Sequence, residues 1–164
     1  MAVLTALAFG FYGYLGGFSS PDISITTSTP QIIVGKAYSG PVEDARFDKL
    51  FREMAQAVET KTLVGTLANI YYNNPEEQND SIKAFVGIAV NGTTPVPAGF
   101  EQRLLPGGKQ VIRVTSDAHY LLAPNKLYPA LFDYLKAKKL QTKKQYLEKF
   151  PQQGAALVEA ELQD

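Results

Sequence analysis

The chain has 164 residues, 16 basic side chains against 16 acidic ones, a single histidine and no cysteine. Balanced charge excludes a general basic field for nucleic acid, and the lack of cysteine excludes disulfides, thiolate metal sites and a cysteine nucleophile. His119 alone excludes a multi-histidine metal site and argues against a histidine-based triad, so neither metal nor cofactor is expected.

The chain opens without charge: the first charged side chain is Asp22, and within residues 2–18 only Thr5, Tyr12 and Tyr14 carry side-chain polarity. As a helix rising about 1.5 Å per residue, residues 1–20 would reach roughly 30 Å, the thickness of a hydrocarbon core. The expectation is a single-pass, N-terminal transmembrane helix over residues 1–20, with membrane lipid as a partner. A cleaved secretory signal would open with positive residues, and none precedes Lys36. A buried helix of a soluble fold is the other alternative. Ala6, Gly10, Gly13 and Gly17 follow at spacings of 4, 3 and 4 and share one helix face. Such a small-residue face lets membrane helices approach closely, which points to partner helices in a larger complex. The flanks lack the Lys/Arg asymmetry that would fix orientation, and nothing here fixes the organelle.

Residues 21–30 read as a polar linker, with some β character at 23–27. Residues 31–39, rich in β-branched side chains, predict a strand that Gly40-Pro41 breaks. From Val42 the period becomes helical, with Phe47, Leu50, Phe51, Met54 and Val58 on one face. Strands follow at 66–72 and 82–90. After a Gly/Pro-rich connection (91–99 and 106–108) the order recurs: strand 109–116, helix 126–138, strands 145–150 and 155–162. In the second helix Asn125 reads as the cap and Pro129 falls in the first turn. The expected fold is α+β: a pseudo-twofold β-α-β-β duplication over residues 31–164, its halves about 31–90 and 109–162, with a cleft between them.

Four stretches resemble the GyrI-like, or SOUL-related, small-molecule-binding family. They are Ala37-Tyr38-Ser39-Gly40-Pro41, Ile70-Tyr71-Tyr72-Asn73-Asn74-Pro75, Leu105-Pro106-Gly107-Gly108-Lys109 and Tyr146-Leu147-Glu148-Lys149-Phe150-Pro151. The tyrosine–tyrosine–Asn–Pro stretch is the most specific. An apolar helix ahead of such a domain is similar to the family's membrane-anchored branch, which includes an endoplasmic-reticulum receptor for selective autophagy. That receptor's activity resides in a long acidic, disordered tail; Asp164 directly follows the last predicted strand, so the activity is not expected here. The resemblance implies a ligand cleft for bulky, often cationic aromatic compounds, with a carboxylate on a late strand recognising charge; Glu148 holds that position. Some relatives hydrolyse strained electrophiles with that glutamate.

Read without the resemblance, strand alternation places Tyr146, Glu148 and Phe150 on one face. A carboxylate between aromatic rings suits a cation, through counter-charge and cation–π contact. Matching the two halves through Pro75 and Pro151 sets Tyr72 opposite Glu148 and Ile70 opposite Tyr146, making both cleft residues. The alternative is a solvent-facing glutamate paired with Lys149 or Lys144. Seven lysines between Lys126 and Lys149, against Asp133 and Glu148, read either as a solvated face or as a contact for anionic lipid. No tryptophan and no clear second carboxylate support Glu148 catalytically, so a non-enzymatic binding domain is expected. Its rivals are an accessory subunit of a membrane complex with a vestigial cleft, and a Glu148-dependent hydrolase.

Overall fold

The structure, a computed structural model, describes residues 11–74, 81–92, 94–120 and 122–163. In chain order these form β1 (Asp22–Thr27), β2 (Gln31–Gly40), α1 (Ala45–Glu59), β3 (Gly65–Tyr71), β4 (Ile82–Val90), β5 (Glu101–Leu105), β6 (Gln110–Ser116), α2 (Pro124–Lys138), β7 (Thr142–Phe150) and β8 (Ala156–Leu162). The eight strands make one antiparallel sheet in the order β1-β6-β8-β7-β3-β4-β2-β5. The fold is α+β.

Both helices lie on one face of this sheet because their apolar stripes require cover. Phe47, Met54 and Ala57 of α1 are buried, as are Leu127, Tyr128, Leu131 and Leu135 of α2. They pack on the inward positions of the strands, among them Val34, Val86, Ile88, Ile112, Val114 and Val158. The Asp44 carboxylate caps α1 by accepting from the Arg46 N–H at 2.8 Å. Helix α1 sits over β2, β3 and β4, and α2 over β6 and β8. The central pair β3 and β7 lies at the seam between the two helices, and that seam makes the site. The opposite face buries a smaller cluster of Ile33, Ala68, Ile70, Phe85 and Leu147, with the Arg103 guanidinium over the Phe85 ring at 5.2 Å.

The expected order of strand, helix, strand and strand recurs, with two strands added. Residues 22–27, expected as linker, form β1, where alternation brings Ile23 and Ile25 onto β6 opposite Val114 and Ile112. The expected connection holds β5, which pairs with β2. Each of these strands precedes one half in sequence and lies on the outer edge of the other half. Helix α2 begins two residues earlier than expected, with Pro124 at its start, so Asn125 lies inside it and Pro129 falls beyond the first turn.

The continuous helix expected over residues 1–20 stops early. Residues 1–10 lie outside the described residues. A helical turn over residues 11–14 closes with Gly16 at φ 74°, the Gly17 N–H donating to Tyr12 O at 2.9 Å and the Gly16 N–H to Gly13 O at 3.0 Å. This paired closure is the glycine-dependent helix stop known as the Schellman motif. Among the described residues no helix is long and apolar enough to cross a membrane.

Candidate functional site

A cleft of about 680 Å³ opens over the β3–β7 seam. Its floor follows from strand parity. Tyr71 pairs with Tyr146, Asn69 with Glu148 and Leu67 with Phe150, so the odd positions of β3 and the even positions of β7 point between the helices. Phe47 and Phe51 of α1 form one wall, and Tyr128 of α2 the other. Phe47 stacks against Tyr38 at 4.6 Å and meets Phe51 edge-on at 4.9 Å, which fixes that wall. Val42 and Tyr120, both exposed, stand at the mouth.

Glu148 is only 3% exposed. Burial raises its pKa above the ordinary value, opposed in turn by the polar groups around it, the Tyr128 hydroxyl first, then the Asn69 amide and the Tyr71 hydroxyl. The Asn69 amide donates to Oε2 at 3.3 Å, a long bond. The Tyr128 hydroxyl lies near enough to influence the carboxylate, yet its buried oxygen closes no hydrogen bond. Burial, then the charge of Glu148, holds the phenols of Tyr71 and Tyr128 well above their ordinary pKa, so both remain protonated donors. Among the described residues no lysine or arginine pairs with Glu148. The site is thus a desolvated carboxylate walled by aromatic rings and, among the described residues, in no ion pair.

Of the residues singled out by sequence, Glu148 and Phe150 line the cleft. Tyr146 lies behind it, packed against Tyr128 at 6.2 Å and Phe132 at 5.8 Å. Ile70 and Tyr72 fall on the other face: Ile70 is fully buried in the smaller cluster, and Tyr72 is 41% exposed. The proline-to-proline match fails because the β3–β4 connection is longer than the β7–β8 turn. Matching the helices end to end, Ala45 with Pro124 and Glu59 with Lys138, makes Asn69 the counterpart of Glu148. An odd shift turns every side chain to the opposite face. Asn69, Tyr71 and Tyr128 were therefore missed, although helix-end matching carried the signal for the β3 pair. Of the small-residue row, Ala6 and Gly10 lie outside the described residues. Gly13 sits in the helical turn, while Gly17 lies past its end, where a Cβ would stand 2.3 Å from the Tyr12 ring. His119 is not among the lining residues; its ring stacks on Tyr120 at 4.2 Å.

The sequence model of a family described as "GyrI-like small molecule binding domain" matches residues 21–154. No curated protein matches the chain. Several solved structures share the fold. An integron cassette protein from the mobile metagenome of Vibrio cholerae has 9% identity and a TM-score of 0.65, over 88% of this chain and 97% of that one. The protein SAV2435, solved bound to tetraphenylphosphonium, has 7% identity and a TM-score of 0.62, over 87% and 94%. The C-terminal domain of EcmrR has 13% identity and a TM-score of 0.60, over 88% and 98%.

Proposed function

The chain belongs to the GyrI-like small-molecule-binding domain family, and from that premise we propose that its cleft binds a bulky hydrophobic cation without transforming it. The observation that carries this reading is Glu148: a buried carboxylate with no positive partner among the described residues. An unpaired buried charge is costly, and a cation that spreads its charge over aromatic groups offsets that cost while filling apolar walls. Phe47, Tyr71, Tyr128 and Phe150 supply those walls. The solved complex of SAV2435 with tetraphenylphosphonium supports the choice of ligand shape. Binding is favoured over hydrolysis because no histidine and no second carboxylate lines the cleft among the described residues. Thermal-shift measurement with tetraphenylphosphonium and with neutral triphenylphosphine oxide tests the reading. The cation raises Tm and the neutral compound does not; an equal response to both would overturn charge recognition.

The same proposal includes a lipid-facing N-terminus. Residues 1–21 carry no charged side chain, and Phe11, Tyr14 and Phe18 are 64%, 87% and 66% exposed. Aromatic rings of this kind settle at membrane interfaces. Co-flotation with phosphatidylcholine vesicles tests it: the full chain floats, and a Phe11→Ser/Tyr14→Ser/Phe18→Ser variant floats less. A chain that stays in the aqueous fraction but runs with other membrane proteins in mild detergent would favour the accessory-subunit reading instead.

A further inference from the structure

The cleft holds a second charged side chain that cation binding leaves unused. Arg52, on the cleft-facing side of α1 beside Phe51, lines the same cavity as Glu148 but is exposed to solvent. Among the described residues these two are the only charged groups lining it. Arg46, Arg103 and Arg113 each hold a carboxylate, at 2.6, 2.9 and 2.6 Å, whereas no ion pair among the described residues includes Arg52. The cleft is therefore polarised: a buried negative charge at the floor and an available planar cation at the mouth.

We propose that the cleft selects an amphoteric ligand, whose cationic aromatic body sits against Glu148 and whose carboxylate or similar anionic group reaches the Arg52 guanidinium. The inference rests on the cation-binding reading above and adds to it the anionic end. A permanent monocation would leave Arg52 unanswered and would meet its repulsion on entering. A zwitterion answers both charges, and guanidinium suits a carboxylate through two parallel N–H donors. Tyr120, exposed and lining the same cleft, adds a further ring for an aromatic body.

Rhodamine B, a zwitterion at neutral pH, and its ethyl ester, a permanent cation, differ only in that anionic group. Fluorescence anisotropy with the full-length chain measures both. Wild type is expected to prefer the zwitterion by about fivefold, the upper range for one solvent-exposed ion pair. Arg52→Gln removes the preference, Arg52→Glu reverses it, and added salt weakens it. Arg52 is exposed, so neither variant threatens folding. Equal binding of both dyes by wild type, or an unchanged preference in Arg52→Glu, overturns the amphoteric claim. Loss of both dyes in Glu148→Gln, in that case, leaves the cation reading standing. Dye binding indifferent to Glu148 overturns both.

Discussion

Burial takes Glu148 out of water, and its donors return only part of the lost solvation. Its pKa in the folded chain is raised above the ordinary 4.5. Between 4.5 and that raised value the folded state binds more protons than the unfolded one, so stability falls as pH rises through the window. Glu148→Gln is therefore expected to raise Tm relative to wild type above the window, with the difference shrinking toward pH 4.5 in pH-resolved thermal melts. A difference that grows on acidification would contradict this. Cation affinity runs the other way, strengthening as pH rises and Glu148 ionises. Parity along β3 gives a second prediction. Tyr71→Ala weakens cation binding severalfold in a titration, whereas Tyr72→Ala does not, because the Tyr72 side chain stands on the other face of the sheet. Ile70→Ala costs about 2–5 kcal/mol in chemical denaturation, since its side chain is fully buried in the smaller cluster. Alternation along a single strand made Glu148 and Phe150 legible in the sequence. Tyr71 and Asn69 were not, because aligning the halves on Pro75 and Pro151 instead of on the helix ends shifts β3 by three residues, and an odd shift inverts the face.

Among the elements, the amphipathic helices and the β-branched strands were legible since each carries its own period. The edge strand β5 was not: Glu101-Gln102-Arg103-Leu104-Leu105 is almost wholly exposed and does not alternate, and its backbone pairing to β2 holds it. The N-terminal helix was overextended because an apolar run has no internal mark for its end except glycine, and Gly16 is that mark. A Cβ at Gly16 would stand 2.9 Å from Ala118 Cα, at a φ that L residues disfavour. Beside it, Leu15 O accepts the His119 N–H at 2.9 Å, tying the segment to the loop that carries Tyr120. Gly16→Ala is expected to cost about 1 kcal/mol locally and to speed hydrogen exchange at the His119 amide, leaving the amides of β3 and β7 protected. Unchanged exchange at His119 would show that the segment is not held by this contact.

At the scale of the whole molecule, β1 and β5 bind each half to the other. Residues 22–27 close the edge of β6, and residues 101–105 close the edge of β2. Neither half can open alone without breaking a ladder, so unfolding is expected as one transition with equal calorimetric and van't Hoff enthalpies; two resolved transitions would contradict the crossed arrangement. The same arrangement holds β3 against β7 and so keeps Asn69 opposite Glu148 at the cleft floor. The duplicated order of elements revealed the two halves and the cleft between them, but not this crossing, because pairing partners far apart in sequence leave no local pattern. The account turns on the carboxylate at the centre of that cleft. Calorimetric titration of wild type and Glu148→Gln with tetraphenylphosphonium above the titration window tests it most directly. Saturable binding weakened about tenfold or more by the substitution is predicted, the scale of losing a charged partner in a dry site; equal affinity of the two proteins would contradict the account.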